Sequence, residues 1–246
     1  MNDPTVRVAV NGLEMDVNVD QHLIDEILLP QLAALEAKRV TRRTFVFLAA
    51  PPGLGKSTLA AVLERRAGDL DLDTIGIDGF HHPTAYLKAA RLPEGDGVHR
   101  LIEVKGAPET FDVPLLDRYL RDAKHADVLW PTYDRVLHDV VPASKPVRAG
   151  LVLVEGNWLL LNEAGWDGLS AHSSFNIFIA ADPALLRERL IRRKMRGGMD
   201  RESATAFYEQ SDGPNVDRVL RNTDKRKVDL MLNLNPDGTI DLGGSP

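Results

Sequence analysis

The fold of this chain is decided by residues 45–57, which read FVFLAAPPGLGKS. An apolar run, a glycine-rich loop that ends in Lys56 and Ser57, and helical spacing after them predict a strand, a phosphate-binding loop and a helix. Backbone N–H groups of such an exposed loop hold the β-phosphate of a nucleotide, the lysine bridges β and γ oxygens, and the serine ligates magnesium. Ala50 stands at the first glycine position of the usual pattern, where a small residue suffices. We expect ATP and Mg²⁺ to bind through Pro52, Gly53, Leu54, Gly55, Lys56, Ser57 and Thr58.

A guanine nucleotide is the alternative ligand of this loop. Guanine-specific switch proteins read the base with an Asn-Lys-x-Asp motif, and the nearest string here, NTDK at residues 222–225, does not match it. We therefore expect an adenine nucleotide.

Composition limits the classes of protein to consider. The chain has 246 residues, of which 43% are hydrophobic and 27% charged, as expected for one large α/β domain with short additions. No run approaches the ~18 apolar residues of a membrane span, and residues 1–20 lack the pattern of an export signal. A net charge of -6 argues against a nucleic-acid partner, and the absence of cysteine excludes thiolate chemistry. We expect a cytoplasmic protein without a membrane partner.

Short apolar runs separated by helical patterns follow the loop, which is typical of parallel strands covered on both faces. Asp112 and Asp182 precede two of the helical segments and are the expected N-caps. We therefore predict an α/β fold with a mainly parallel sheet over residues 44–246. The predicted strands are 44–50, 74–78, 127–130, 151–154, 175–180 and 228–234, and the predicted helices are 57–67, 113–124, 183–196 and 201–210.

Residues 1–43 precede this domain and are predicted to form an appendage. Residues 5–19 alternate apolar and polar side chains around Asn11-Gly12, a dipeptide typical of a β-hairpin turn. Residues 21–38 have helical spacing that Pro30 is expected to kink or split. We expect the hairpin and helix to pack on the main domain; a contact in a homodimer is the alternative.

Two carboxylates stand at predicted strand ends, because Asp78 ends one apolar run and Glu155 follows another. Ligands of open α/β sheets bind at the carboxyl edge of the strands, so Asp78 is a candidate base for an attacking hydroxyl, with a plain turn residue as the alternative. Glu155 is a candidate to hold magnesium-bound water or to orient the acceptor; a buried structural acid is the alternative. His81 and His82 either line the substrate pocket or cap the loop.

The predicted helix 183–196 carries four arginines within one sector ~100° wide, and Gly197 and Gly198 follow it. Crowded like charges indicate a nearby anion, and paired glycines are typical of a flexible break. We expect a lid over about residues 185–200 that neutralises a transferring phosphoryl group. A solvated basic face, or salt bridges to another segment, is the alternative. The four residues are Arg189, Arg192, Arg193 and Arg196.

Three further segments resemble motifs of one known superfamily. They are DGFHHP at residues 78–83, KGAPETFD at residues 105–112 and PTYDR at residues 131–135, and they resemble, in this order, motifs of the phosphoribulokinase, uridine kinase and bacterial pantothenate kinase superfamily. The resemblance runs from about residue 45 to residue 234. Within the superfamily the chain looks most like the small bacterial proteins described as fructose-transport-system kinases. The resemblance implies a P-loop NTPase fold, a three-layer α/β/α sandwich.

The resemblance also implies roles for single residues. Asp78 falls on the catalytic base, and the lid is supported, with Arg189 and Arg193 as its phosphate-binding residues. Bacterial pantothenate kinases typically carry histidine where Arg135 stands, which argues against pantothenate as the substrate. The acceptor-side positions of the superfamily are matched by Lys105, Tyr133 and Arg135. From the residues alone, the alternatives are a solvated charge at Lys105 and a structural stack of Tyr133 with Arg135.

Together these observations predict an ATP-dependent kinase that transfers the γ-phosphoryl group to a hydroxyl of a small metabolite. The resemblance favours a fructose-like sugar or a polyol, while a nucleoside or a pantothenate-like alcohol stays open. A regulatory P-loop ATPase without a small-molecule acceptor is the alternative from another class. A polar pocket beside Asp78, closed off by residues 81–112 and 131–139, would favour the kinase, and a flat exposed edge would favour the ATPase.

Overall fold

The computed structural model of the chain describes residues 5–10, 12–92 and 99–243, so Asn11 of the predicted turn and part of the segment 81–112 lie outside the described residues. In these ranges no helix is long and apolar enough to cross a membrane. The strands are β1 Thr5–Val10, β2 Leu13–Asn18, β3 Thr44–Ala49, β4 Leu72–Gly76, β5 Arg91–Leu92, β6 His99–Arg100, β7 Val128–Asp134, β8 Asp139–Val147, β9 Leu151–Gly156, β10 Phe175–Ala181, β11 Leu230–Leu234 and β12 Ile240–Leu242. The α-helices are α1 Leu29–Ala37, α2 Lys56–Arg66, α3 Thr84–Ala89, α4 Val113–Ala123, α5 Pro183–Arg196, α6 Arg201–Phe207 and α7 Gly213–Asn222.

A six-stranded sheet forms the centre of the molecule, in the order β12-β11-β10-β3-β9-β4. Every neighbouring pair is parallel except β11 and β12. Alternate side chains of β3 enter two different cores: Val46 packs in the core that includes α2 and α5, and Phe47 packs in the core that includes α4. Helices therefore cover both faces, and the predicted α/β fold with a mainly parallel sheet is confirmed.

One predicted strand of this sheet is wrong. The run 127–130 belongs to β7, which pairs antiparallel with β8 in a separate two-stranded sheet. The Asp134 carboxylate accepts hydrogen bonds from the N–H groups of Val136 and Leu137, at 2.7 and 2.9 Å, and this turn folds the chain back on itself. A short apolar run does not reveal which strand it will pair with, and the two prolines in β8 hid that strand from the sequence pattern.

The helix predicted at 201–210 also differs from the structure. The α-helix α6 ends at Phe207, a π-helical turn covers Tyr208–Asp212, and α7 continues to Asn222. Gly213 and Pro214 discourage a helix in the sequence pattern. Pro214 is tolerated because it lies in the first turn of α7, where its missing N–H is not needed.

The N-terminal segment forms the predicted hairpin of β1 and β2 followed by a helix. A π-helical turn at His22–Leu28 precedes α1, and Pro30 lies in the first turn of α1, so the helix is divided as predicted. Val6, Val8 and Val10 of β1 are buried in the same core as α2. The hairpin is thus held on the outer face of α2. The predicted N-caps are confirmed, because each aspartate accepts a backbone hydrogen bond from the helix that follows it: Asp112 and Asp182.

Candidate active site

The phosphate loop connects β3 to α2 with two glycines in the left-handed region. Gly53 has φ +80° and Gly55, the N-cap of α2, has φ +102°. A Cβ atom at Gly53 would also lie 2.7 Å from Cγ of Leu190 on α5. Both positions therefore require glycine, one of them because a second helix packs directly on the loop.

Lys56 is buried, with 8% of its surface exposed, so the expectation that it lies in an exposed loop is wrong. The reason lies in the tertiary fold: the segment after β9 covers the loop, and Nζ of Lys56 donates hydrogen bonds to Oδ1 of Asn157 at 2.5 Å and to the carbonyl of Pro51 at 3.2 Å. Burial lowers the pKa of Lys56, while the nearby negative charges of Glu155 and Asp78 act in the opposite direction. The ammonium is thus fixed among oxygen acceptors at the mouth of the loop.

The ends of β3, β4 and β9 bring Ser57 and Glu155 together. Ser57 Oγ donates to Glu155 Oε1 at 2.6 Å, and the absence of a side chain at Gly76 leaves room for this carboxylate, since a Cβ there would lie 3.1 Å from Oε1. Burial raises the pKa of Glu155, the charge of Asp78 raises it further, and the charge of Lys56 opposes both.

A hydroxyl and a carboxylate on adjacent elements supply the hard oxygen ligands that Mg²⁺ prefers. Among the residues that the structure describes, no group of three or more His, Asp or Glu side chains surrounds a metal position. Mg²⁺ needs no such group, because it is usually held by one or two protein oxygens together with phosphates and water. Ser57 and Glu155 therefore fit Mg²⁺ bound with a nucleotide.

Asp78 lies in a short 3-10 turn directly after β4. Its carboxylate is 52% exposed and lies 3.5 Å from Nη2 of Arg135, which is 55% exposed. The β7–β8 hairpin reaches this turn because Gly79 allows close backbone contact: a Cβ at Gly79 would lie 2.1 Å from the carbonyl oxygen of Pro131. Trp130 reinforces the contact by donating from Nε1 to the carbonyl of Gly76 at 2.9 Å.

A cleft of about 240 Å³ opens beside this carboxylate. It holds five of the residues that the sequence singled out: Ser57, Asp78, Tyr133, Arg135 and Glu155. Residues 131–139 form part of its wall as expected, whereas the described part of 81–112 does not line it. The cleft is therefore polar and recessed and is not a flat edge.

Three further predicted residues, Lys105, His81 and His82, do not line the cleft. Nζ of Lys105 donates to the hydroxyl of Tyr133 at 2.9 Å, which orients that side chain. The ring of His81 stacks on Phe111 with centroids 3.8 Å apart, and the ring of His82 stacks on Tyr86 at 4.4 Å.

His81 is the most constrained of these. Its Nδ1 donates to the carbonyl of Asp78 at 2.9 Å, and its buried Nε2 has no hydrogen-bond partner among the described residues. Burial lowers the pKa of His81, against the raising effect of the Asp78 charge. The imidazole is therefore neutral near pH 7 and carries its proton on Nδ1.

The four predicted lid arginines of α5 differ in their surroundings. Nε of Arg189 donates to the carbonyl of Gly53 at 3.1 Å, so this residue touches the phosphate loop. Nη2 of Arg193 lies 4.0 Å from Oδ2 of Asp212, while the side chains of Arg192 and Arg196 are exposed. Of the four predicted lid arginines, Arg189 and Arg193 are the two with a polar contact to another element among the described residues.

Gly197 and Gly198 form an ordered end to α5. Gly198 has φ +100°, and the N–H of Met199 bonds to the carbonyl of Lys194 at 3.2 Å, as in a helix C-cap. Closure of a lid over residues 185–200 stays a prediction.

Several residues of the site were missed from the sequence. The sequence offered a signal for Asn157, because it lies two residues after Glu155, just past the end of the same strand. The sequence also offered a signal for Glu64, since this residue lies two helical turns after Ser57 on the same face of α2. Four further lining residues come from other segments, and no local pattern connects them with the loop: Ala9, Val10, Thr74 and Lys145.

Known proteins share both sequence and fold with the chain, although no family model matches it. The uncharacterized protein YggC of Escherichia coli (strain K12) is 45% identical over 240 residues, which cover 95% of this chain and 97% of YggC. A pantothenate kinase of Rhodopseudomonas palustris is 35% identical over 154 residues, covering 57% of this chain and 46% of that enzyme.

Solved structures agree with these sequence relatives. A Silicibacter protein described as a candidate fructose transport system kinase has a TM-score of 0.70 at 28% identity, over 80% of this chain and 96% of that one. A D-glycerate 3-kinase of Cryptococcus neoformans shares the fold, with a TM-score of 0.64 at 17% identity, over 89% of this chain and 95% of that one.

Proposed function

The chain belongs to the superfamily of P-loop kinases, and on that premise we propose that it transfers the γ-phosphoryl group of ATP to a hydroxyl of a sugar or polyol. Membership makes it an ATP-dependent small-molecule kinase; the class of acceptor is the proposal. One observation carries it: a single small cleft contains Ser57 and Glu155 at the phosphate end and Asp78 at the acceptor end. Such convergence is what direct transfer between two bound molecules needs.

At the nucleotide end, the residues bind and neutralise phosphate. Lys56 exchanges its contacts with Asn157 and Pro51 for the β and γ oxygens of ATP, which makes its buried charge useful. Ser57 and Glu155 would hold Mg²⁺, which would supply neutralisation of the phosphate charge. Arg189 adds a guanidinium from above the loop, where it already contacts Gly53.

At the acceptor end, Asp78 orients the attacking hydroxyl and accepts its proton. Its carboxylate is half exposed and, among the described residues, contacts only the distant guanidinium of Arg135, so an incoming hydroxyl can reach it. Tyr133, held by Lys105, forms the neighbouring wall. Arg193 would leave Asp212 to reach the transferring group, which requires a movement of α5.

The size and lining of the cleft support a sugar or polyol over the larger acceptors. Its volume of about 240 Å³ lies below the ~300–1,000 Å³ of pockets for drug-sized ligands. The likeness to the candidate fructose transport system kinase, at 28% identity over 80% of this chain, supports the same class. A nucleoside or a pantothenate-like alcohol is the alternative within the superfamily.

Coupled ADP-release assays across sugars, polyols, nucleosides and pantothenate test the proposal. We expect ADP release that depends on a sugar or polyol, with a new phosphate ester of that compound in the ³¹P NMR spectrum. The matched control of low activity is Asp78→Asn. ADP release at one rate with and without every acceptor would instead support an ATPase, and release that depends only on a nucleoside or pantothenate would assign the acceptor to that class.

A further inference from the structure

The cleft extends beyond the carboxylate of Asp78 along the free edge of β4. Within the described part of the chain this strand pairs with β9 alone, and side chains from the β7–β8 hairpin cover carbonyl groups on its other edge. Nζ of Lys145 donates to the carbonyl of Thr74 at 2.7 Å, two residues before the carbonyl of Gly76 that Trp130 binds. Lys145 therefore lies beside Thr74 at one end of a groove, and Asp78 lies four residues further along at the other end. With a rise of ~3.3 Å per residue, this groove is long enough for a chain of several carbons.

The far end of the groove offers hydrogen-bond acceptors and donors side by side. Glu64 on α2 accepts a hydrogen bond from Oγ1 of Thr74, and its carboxylate has further lone pairs to offer. Lys145 donates one N–H to the Thr74 carbonyl and makes no ion pair with a carboxylate among the described residues. A hydroxyl group both donates and accepts, so vicinal hydroxyls are the ligands that satisfy such a mixed pair.

The charges that line the cleft nearly cancel. Three carboxylates are opposed by two cations, Arg135 and Lys145. A phosphate or carboxylate tail on the acceptor would add negative charge where the lining has no surplus of positive charge, which costs free energy in a partly desolvated site. The far end therefore fits an uncharged group. The three carboxylates are Glu64, Asp78 and Glu155.

The end wall of the groove comes from the N-terminal hairpin, outside the phosphate-loop domain. Ala9 and Val10 of β1 line the cleft. The alternating side chains Val6, Val8 and Val10 anchor β1 in the core with α2, whereas Ala9 points away from that core and is exposed. Moving a strand anchored in this way would break packed core contacts and cost free energy. The small side chain at Ala9 thus sets the length of the groove.

We infer that Ala9, Glu64 and Lys145 form the far end of the acceptor site and select an uncharged, polyhydroxylated acceptor by its length and hydroxyl pattern. The inference rests on the proposed function, because it names the acceptor of the same site. It assigns to the hairpin a role in specificity that the phosphate loop does not need.

Binding and turnover test the inference with the full-length protein. Sorbitol, ribitol, erythritol and glycerol would be titrated by saturation-transfer NMR in the presence of Mg²⁺ and a non-hydrolysable ATP analogue, and KM and kcat would be measured with ATP. The variants are Ala9→Phe, which shortens the groove, and Lys145→Met and Glu64→Gln, which remove one side of the polar pair. The matched controls are Arg7→Phe, on the exposed face of the same strand, and Lys38→Met, both outside the cleft lining.

We expect wild-type affinity to increase with polyol length and each site variant to raise Kd and KM roughly tenfold for sorbitol, with smaller effects as the polyol shortens. The controls should match wild type. Circular dichroism checks folding, and if Ala9→Phe fails to fold, Lys145→Met and Glu64→Gln decide the outcome.

Three results would overturn the inference: no polyol binds, the site variants bind sorbitol like wild type, or gluconate binds more tightly than sorbitol in a manner that depends on Lys145. Polyol binding with the expected variant effects, but without a phosphate ester after incubation with ATP, would support the binding site and refute the proposed phosphoryl transfer. The two proposals can therefore fail separately.

Discussion

Replacement of Asp78 by asparagine separates its chemical role from any structural one. The change keeps the shape of the side chain but removes its charge and basicity. In the structure the carboxylate is 52% exposed, and among the described residues its one side-chain contact is with the exposed guanidinium of Arg135, 3.5 Å away. Exposed ion pairs of this kind contribute ~0–1 kcal/mol, so the free energy of unfolding should change by less than about 1 kcal/mol.

The expected effect on activity is much larger. A positioned general base typically contributes ~10²–10⁴-fold. We expect a value near ~10²-fold, equivalent to about 2.7 kcal/mol in the activation free energy, because a loose phosphoryl-transfer transition state needs little deprotonation of the attacking hydroxyl. ATP affinity should stay close to wild type, since Lys56, Ser57 and the loop glycines are unchanged.

Isothermal titration with ATP and a turnover assay with the identified acceptor measure the two effects separately. Asp122→Asn, an exposed carboxylate on α4 outside the cleft, is the matched control. Loss of ATP affinity in Asp78→Asn would make Asp78 a magnesium or structural residue. Unchanged turnover would remove it from the mechanism, and acceptor-independent ATP hydrolysis at the wild-type rate would support the ATPase alternative.

Three more perturbations follow from the structure. Lys56→Met should abolish transfer without lowering the melting temperature much, because burial already disfavours the ammonium; turnover near wild type in a folded variant would contradict the role of the loop. Gly79→Ala should destabilise the fold by ~1–3 kcal/mol in urea unfolding, because its Cβ would lie 2.1 Å from the backbone oxygen of Pro131; an unchanged midpoint would show that the hairpin docks elsewhere. Burial lowers the pKa of His81 in the folded state below its usual 6.5. The neutral ring therefore contributes its full share of stability above pH 6.5. That contribution is lost as the pH falls from 6.5 through the pKa of the folded state. NMR titration of its C2–H should give a midpoint below 6.5, and His81→Gln should weaken the fall in stability under acid; a midpoint at or above the usual value would contradict the burial.

The strand-end carboxylates illustrate how far a sequence pattern reaches. Asp78 and Glu155 could be singled out because a short apolar run followed by an acid places that acid at the carboxyl edge of a parallel sheet. The structure brings both into one cleft with Ser57. The same reasoning failed for the run 127–130, because apolar content indicates burial but does not identify the neighbouring strand.

Lys56 and Lys105 show a second limit. The sequence indicated that both belong to motifs, but their surroundings depend on chain segments far away. Lys56 is buried because Asn157, 101 positions later, lies over the loop. Lys105 acts on Tyr133, 28 positions later, and lies outside the cleft itself.

The sequence by itself determined the features that need only near neighbours along the chain. The phosphate loop, the N-caps at Asp112 and Asp182 and the pattern of the N-terminal hairpin depend on backbone conformations and hydrogen bonds within a few residues. Only the tertiary structure decided which distant segments meet. Lys145 reaches Thr74, 71 positions before it, and β1 closes the groove, because the β7–β8 hairpin and the N-terminal hairpin each pack against elements with which they share no local pattern. Packing of whole elements selects such contacts, and for that reason the walls of the cleft follow from the fold as a whole.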